Sequence, residues 1–99
     1  MYMKIHENGK NVVVAVCDEE LLNKNLSSDG VKIDINKSFY GEKSFEYEEV
    51  SNALSNATIA NLFGEKSVEC GINEGLVESE NVVEIDGVPH AQIFFIWIQ

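Results

Sequence analysis

Two stretches of this chain place strand-forming apolar residues on either side of a two-residue turn. In the first, YMKIHE and NVVVAVC flank Asn8-Gly9, and in the second, NVVEI and VPHAQIFFIWI flank Asp86-Gly87. Asn-Gly and Asp-Gly between such runs indicate β-hairpins, because both turn residues tolerate the positive φ of a type I′ turn. We therefore expect a hairpin near each end of the sequence.

A turn at Asn8-Gly9 also sets the register of the first hairpin, with Ile5 facing Val12. Apolar side chains then fall on both faces of the second strand. They are Val12, Val14 and Val16 on one face, and Val13 and Ala15 on the other. Cover on both faces is typical of a strand in the middle of a sheet.

Two further segments show the spacing of a helix. Over residues 46–57, apolar positions recur at Tyr47, Val50, Leu54 and Ala57. Ser44 precedes this segment as a candidate N-cap, and the glutamates of its first turn suit the helix dipole. A second helix is predicted over residues 65–74, because a glycine at position 75 followed by an apolar residue is typical of a helix C-terminus.

Shorter signals fill the remaining segments. Asp18 is a candidate N-cap for one or two helical turns within CDEELLNKNL, and SSDG marks a turn before the half-buried strand VKIDI. NKSFYGEKS is interpreted as a loop, and TIANLFG as a short strand. We therefore predict a single α+β domain over residues 1–99, with an antiparallel-rich sheet that contains two β-hairpins, and two main helices at 46–57 and 65–74.

The composition is that of an ordinary globular protein. Of the 99 residues, 44% are apolar and 24% are charged, which suits one modest core without a metal or disulfide. No secretory signal is expected, and the apolar run IFFIWI is far shorter than the ~20 residues that span a bilayer. We expect a cytoplasmic protein without membrane contact, in which Cys17 and Cys70 are reduced thiols.

The net charge of −10 is unevenly distributed. Residues 1–43 contain six lysines against seven acidic residues, whereas residues 44–99 contain Lys66 alone against ten acidic ones. The sequence has no arginine, the side chain best suited to phosphate and guanine, so direct nucleic-acid binding is disfavoured. The acidic half is interpreted as a solubilising surface, with a site for a basic partner as the functional alternative.

Several longer stretches carry a resemblance to a known family. MKIHENGKNVVVAVCDEELLNK, SFYGE, NATIANLFGEKSVECGINEGLVE and IDGVPHAQI together resemble the small archaeal proteins grouped as domain-of-unknown-function family 424. The likeness covers nearly the whole chain, and it is most specific over residues 14–22 and 87–93. It implies an archaeal cytoplasmic origin and a family whose members keep company with translation genes, and it implies no established activity.

Few side chains are candidates for chemistry. Cys17 precedes a predicted helix N-terminus, where the dipole stabilises a thiolate, but the negative charge of Asp18 opposes this effect. A nucleophile also needs a base, and the histidines are His6 and His90. We expect Cys17 and Cys70 to be packed structural thiols. The sequence shows neither the ligand spacing of a zinc site nor a complete phosphate loop in NLFGEKS, so we predict no catalytic residue, metal or cofactor.

The last strand raises a different question. The apolar run from Ile93 to Ile98 alternates between two faces, and both require cover. The protein's own helices can cover one face. The other is either covered by the rest of the chain or serves as an association surface, with Trp97 and a phenylalanine as anchors. We therefore hypothesise a protein partner or a homodimer through the C-terminal strand.

Pro89 and His90 begin this strand. In the second hairpin, Pro89 faces Glu84 in a non-hydrogen-bonded pair and His90 faces Val83. Proline cannot donate on its outer side, which suits a sheet edge or a place where pairing with a third strand stops. His90 is then either a partly buried histidine bonded to backbone or carboxylate, or a polar group at the rim of a pocket.

We therefore hypothesise a non-enzymatic protein-interaction module. The resemblance suggests that it is an accessory of the translation or RNA-handling machinery. The alternative is a small enzyme or ligand-binding protein that uses His90 and Cys17. The candidate site for a ligand or partner consists of His90, Pro89, Cys17, Asp18 and Trp97.

Overall fold

The computed structural model describes residues 1–95 and has an α+β fold, as the sequence predicts. Within these residues the strands are β1 (Tyr2–Asn8), β2 (Asn11–Cys17), β3 (Asn25–Ser28), β4 (Val31–Asp34), β5 (Ile59–Phe63), β6 (Val83–Ile85) and β7 (Val88–Phe94). The helices are α1 (Lys37–Tyr40), α2 (Tyr47–Leu54) and α3 (Glu65–Asn73). Single 3-10 turns lie at Glu19–Leu21 and Ser79–Asn81.

Five strands form one sheet in the order β1-β2-β5-β7-β6. Its neighbouring pairs are antiparallel except for β2 with β5, which are parallel. The sheet is therefore antiparallel-rich, and β2 lies between two neighbours, as its two apolar faces predict. Strands β3 and β4 form a separate two-stranded hairpin.

Two layers cover this sheet, because side chains alternate between its faces along each strand. Helices α2 and α3 pack on one face. The buried core there consists of Met3, Val14, Val16, Val50, Leu54, Ala57, Ala60, Leu62, Val68, Cys70, Val77 and Ala91. The second buried cluster consists of Ala15, Cys17, Leu21, Leu26, Ile35, Tyr40 and Phe63. Helix α1 and the β3–β4 hairpin thus cover part of the second face, for which the sequence left open either cover by the rest of the chain or use as an association surface.

The first hairpin differs from the predicted register by two residues. Asn8 pairs with Asn11, so the loop is Gly9-Lys10 and not Asn8-Gly9. Gly9 has a φ of +62° and comes first in the loop, where a type II′ turn takes glycine. Ile5 consequently faces Val14 and not residue 12. Because the shift is by two residues, each side chain keeps its predicted face of the sheet.

The second hairpin has the predicted register. Asp86 and Gly87 both have positive φ, at 53° and 77°, as a type I′ turn requires. Pairing between β6 and β7 extends to Val83 with His90. Strand β7 is the longer of the two and continues to Phe94.

Both main helices are confirmed, with slightly different ends. Glu46, and not Ser44, is the N-cap of α2. Helix α3 ends in a Schellman motif, in which the Leu76 N–H donates to the Gly71 carbonyl at 3.0 Å and Gly75 has a φ of +74°. No helix among residues 1–95 is long and apolar enough to cross a membrane.

Two segments form elements that the sequence interpretation did not include. NKSFYGEKS contains α1, because the Asn36 side chain accepts from the Phe39 N–H at 3.0 Å and caps a helical turn. NLSS forms β3, and the turn predicted at SSDG is confirmed as the Asp29-Gly30 loop of the β3–β4 hairpin, in which both residues have positive φ. Strand β3 was missed because NLSS has no alternation of apolar and polar residues.

Candidate functional site

The carboxyl ends of β2 and β5 meet the beginning of β7 at one end of the sheet. Because β2 and β5 are parallel, Cys17 lies opposite Phe63. Phe63 in turn lies opposite His90 of the antiparallel strand β7. Three side chains thus form a row across three strands on one face, with the phenylalanine in the middle.

A second row lies one residue beyond the first. The Asp18 N–H donates to the Phe63 carbonyl at 3.0 Å, and the Gly64 N–H donates to the Pro89 carbonyl at 2.8 Å. Pro89 therefore lies where pairing with β5 stops, which is one of the two places that its missing donor predicts. Four predicted site residues come together in these rows, which we name the closed end, whereas Trp97 lies outside the described residues.

Cys17 is fully buried at the closed end. Burial, followed by the negative charge of Asp18, raises the pKa of its thiol to about 12. The thiol is therefore neutral at pH 7, and a neutral thiol is a poor nucleophile. Phe63 separates Cys17 from His90 in the row, so the two side chains do not form a thiol–imidazole pair.

His90 is half-buried against Phe63, with ring centroids 4.2 Å apart. Its Nδ1 lies 2.9 Å from the Leu62 carbonyl oxygen and donates to it, which leaves Nε2 as the acceptor of a neutral ring. Burial lowers the pKa of the imidazole, although the hydrogen bond to Leu62 acts in the opposite direction. This geometry is that of a histidine bonded to backbone, and its use as a binding group stays a prediction.

Asp18 caps a helix, but a different one from the helix that the sequence predicts. Its side chain makes no cap hydrogen bond to the turn at Glu19–Leu21. The carboxylate, 2% exposed, instead accepts from the Lys66 N–H at 3.0 Å and from the N–H and hydroxyl of Ser67 at 2.8 Å each. The carboxylate here accepts hydrogen bonds from N–H groups at the start of α3 that have no partner within the helix, and it lies at the positive end of the helix dipole. The cap is supplied by a residue 48 positions before the first N–H it binds.

Gly64 makes room for this cap. Its φ is +106°, a conformation that disfavours residues with a Cβ, and a Cβ built there would overlap the carboxyl group of Asp18. The glycine of NLFGEKS therefore serves a close approach between backbone and side chain. The helix N-terminus that a phosphate would use already holds a carboxylate from the same chain.

The other candidates also make structural contacts. His6 Nε2 lies 2.8 Å from the Phe39 carbonyl oxygen, and the two rings stack with centroids 5.1 Å apart. Cys70 is buried in α3, and burial raises the pKa of its thiol. Among residues 1–95, no group of three or more His, Cys, Asp or Glu side chains is placed to hold a metal ion.

Strand β7 is open on one side beyond the closed end. Strand β5 pairs with β7 as far as Phe94, whereas β6 pairs with its other side only as far as His90. The Phe95 N–H donates to the Thr58 carbonyl of the β5 side at 2.8 Å, so odd-numbered residues of β7 direct their backbone polar groups toward β5. The N–H and C=O groups of Gln92 and Phe94 therefore point the other way, where no strand lies within the described chain.

We name this outer side of residues 91–94 the open edge. A groove runs along it, between β7 and the connection that follows α3. The groove is lined by Leu76, Val77, Asn81, Ala91, Gln92, Ile93 and Phe94, all uncharged. Sequence reasoning did not select Gln92 or Phe94, although the unequal lengths of the two arms of the second hairpin already indicated an unpaired stretch.

The described residues thus define a small α+β protein in which the closed end is occupied by its own contacts and the outer side of β7 beyond His90 has no strand beside it. This chain belongs to the family described as "Protein of unknown function (DUF424)", whose model matches residues 5–96. The resemblance found in the sequence is thereby confirmed.

One solved structure supports the same fold. The crystal structure of an uncharacterized conserved protein from Methanopyrus kandleri is similar to this chain with a TM-score of 0.87 and 29% sequence identity. The similarity covers 99% of this chain and 93% of that one. No curated protein matches the chain.

Proposed function

We propose that this protein is a non-enzymatic interaction module of the archaeal cytoplasm that binds a protein strand along the open edge of β7. The observation that carries the proposal is the outward direction of the backbone N–H and C=O groups of Gln92 and Phe94. Such ladder groups pair readily with an added strand, and main-chain hydrogen bonds then supply much of the affinity.

The side chains of the open edge support the same role. Phe94 is 67% exposed, and Ile93 is half-buried on the opposite face of the strand. Proteins commonly protect an edge strand with a charge, a proline or a bulge. Residues 91–95 contain neither a charged residue nor a proline, so an added strand meets no such barrier.

Two occupants fit this proposal. A partner protein can add an extended segment, or a second copy of this chain can pair its own β7 in a twofold antiparallel arrangement. Proteins of translation and RNA handling are the partners that we would examine first, on the strength of the family resemblance alone.

A proline substitution at the open edge tests the proposal. The Gln92 N–H points outward, so Gln92→Pro removes one outward donor and leaves the β5–β7 ladder intact. We expect the wild type to form a dimer in light scattering or to capture a specific partner from an archaeal lysate, and Gln92→Pro to do neither. Gln92→Thr keeps the donor and is the matched control. Equal association by the wild type and Gln92→Pro would overturn the proposal.

Trp97 offers an independent test, although it lies outside the described residues. If the C-terminal strand is the contact, Trp97→Lys converts a wild-type dimer into a monomer or an insoluble protein, because a charge replaces an aromatic anchor. If the wild type is a monodisperse monomer and captures no specific partner, neither a partner protein nor a second copy binds the open edge, and the proposal is overturned.

The alternative proposal is a small enzyme or ligand-binding protein that uses His90 and Cys17. Its support is that both residues lie at the closed end and that Nε2 of His90 is an acceptor in the neutral ring. The neutral thiol and the intervening Phe63 weigh against catalysis. Under this alternative, His90→Ala abolishes ligand binding while thermal unfolding barely changes. A lower melting temperature with intact binding would assign His90 a structural role.

A further inference from the structure

Building on the proposed function, we infer that the occupant of the open edge is an extended segment of a partner protein that carries lysine or arginine. The inference rests on the charges around the groove. An added strand makes backbone hydrogen bonds whatever its sequence, so its side chains and their charges must supply selectivity.

The segment of the chain that supplies all the residues lining the groove is strongly acidic. Residues 67–99 contain six acidic residues and neither lysine nor arginine. Glu74, Glu78 and Glu80 lie close in sequence to the residues that line the groove, and all three are exposed. The ion pairs among the described residues, Met1 with Glu19 and Lys37 with Glu42, lie elsewhere. Within residues 1–95, Glu74, Glu78 and Glu80 therefore form no ion pair with a cation of this chain.

The lining of the groove is uncharged, whereas the residues adjacent to it in sequence include exposed glutamates. The groove itself is lined by uncharged residues, so an occupant can bury apolar side chains there without burying an unpaired charge. Glu78 and Glu80 are exposed and directly adjacent in sequence to the lining residues Val77 and Asn81, and a basic side chain that approaches such carboxylates keeps its water and still gains attraction. A segment that alternates apolar and basic residues matches both features, since alternate residues of a strand point to opposite sides.

A second copy of this chain matches less well. Twofold pairing of two β7 edges would bring two identical acidic stretches together, with no cation from residues 67–99 of either copy. Pairing β7 of one copy with the lysine-bearing edge at β1 of the next would not close, and it would extend into a chain of molecules. A basic segment from another protein avoids both the repulsion and the open-ended growth.

Matched synthetic peptides test the inference. One peptide of about ten residues alternates valine with lysine, and the second has glutamate at every lysine position. Fluorescence anisotropy of labelled peptides measures binding to the full chain at low and at high salt. We expect the lysine peptide to bind at least about tenfold more tightly than the glutamate peptide, and to weaken as salt increases.

Variants connect the binding to the proposed place. Gln92→Pro is expected to abolish binding of the lysine peptide, and Phe94→Pro is a second variant that also removes an outward donor. Gln92→Thr is expected to bind normally. Glu78→Gln combined with Glu80→Gln keeps the edge and is expected to reduce the preference for lysine by about threefold to tenfold. Thermal unfolding of each variant shows whether it remains folded.

The outcomes separate this inference from the proposal beneath it. If both peptides bind equally well and Gln92→Pro abolishes both, the edge accepts strands without regard to charge, and only the basic partner is overturned. If neither peptide binds but light scattering shows a dimer that Gln92→Pro dissociates, the occupant is a second copy and the inference fails. If neither peptide binds and the protein is a monomer without a partner, the inference and the proposed function fail together.

Discussion

The closed end includes the first residues of β7 and the open edge consists of later residues of the same strand, and the polar groups of the two regions are used in opposite ways. At the closed end, the Asp18 carboxylate accepts three hydrogen bonds and the Pro89 carbonyl accepts one from Gly64. At the open edge, backbone groups of Gln92 and Phe94 point away from the sheet. The residues with the most reactive side chains make structural contacts, and at the open edge backbone groups have no described strand to pair with.

In a small protein, the contacts that a polar group already makes decide whether it can bind a ligand or a partner. A buried carboxylate at a helix N-terminus is stabilising only while its donors are in place, so it has little capacity left for a ligand. An edge strand needs no special side chain to bind, because the chain itself supplies donors and acceptors. Substitutions at the closed end should therefore change stability, and substitutions at the open edge should change association.

The largest expected effect is that of Gly64→Ala. A Cβ at this position meets the Asp18 carboxyl group, and the φ of +106° adds backbone strain. We expect the free energy of unfolding to fall by about 3 kcal/mol, measured by urea denaturation. Gly75→Ala is the matched control, because its φ is also positive but nothing lies within 4 Å of its Cβ, so it should cost only about 1 kcal/mol. Equal costs at the two sites would contradict the close approach at Gly64.

Removal of the carboxylate comes next. Asp18→Ala leaves the N–H groups of Lys66 and Ser67 without an acceptor at a buried helix start, and we expect a loss of about 2 kcal/mol. Once residue 18 is alanine, Gly64→Ala no longer meets a carboxyl group. The double variant should therefore lose less stability than the two single losses together, which a double-mutant cycle measures. Strict additivity would mean that the two residues do not interact.

His90 should make stability depend on pH. Its pKa is lowered in the folded protein by burial, so the unfolded chain binds a proton more readily. Stability is then fully present above the unfolded value of roughly 6.5 and decreases as the pH falls through the lower folded pKa. His90→Asn keeps a donor for the Leu62 carbonyl and cannot titrate. We expect the wild type to lose more stability than His90→Asn between neutral and mildly acidic pH, measured by thermal unfolding.

The smallest expected effect on stability lies at the open edge. Phe94 is 67% exposed, so Phe94→Ser should change the free energy of unfolding by less than about 0.5 kcal/mol. The same substitution should weaken association of the edge, measured by peptide binding or light scattering. A large loss of stability with unchanged association would mean that Phe94 contributes to the fold and not to binding, contrary to the role proposed for the open edge.

Local signals in the sequence predicted much of the fold. The Asp86-Gly87 hairpin, the two main helices and the central strand β2 all follow from spacing and turn chemistry within a few residues. The first hairpin shows the limit of such signals, because Asn8-Gly9 and Gly9-Lys10 are both acceptable loops and preserve the same faces. Helix α1 is shorter than any pattern that periodicity can detect, and a polar strand such as β3 has no pattern at all.

The candidate site was less predictable, for a different reason. Cys17, Asp18, Pro89 and His90 are brought together by pairing among three strands, which no local pattern specifies. From sequence alone, Asp18 is an acceptable N-cap for the turn that follows it. In the fold its carboxylate caps α3 instead, because α3 begins beside it in space. The open edge depends on the difference in length between β6 and β7, which the unequal arms of the second hairpin indicate in the sequence, but its position is defined only when both strands have known ends.

The parallel pairing of β2 with β5 also has a consequence for how quickly the protein folds. Val12 and Thr58, which hydrogen-bond beside this pair, are 46 residues apart in the chain. The two hairpins of the five-stranded sheet can form from neighbouring residues, but the middle of this sheet forms only after a long loop closes. That closure costs chain entropy before any contact is gained. Folding should therefore be limited by the meeting of β2 and β5, and the helix that Asp18 caps should acquire its cap only after that step.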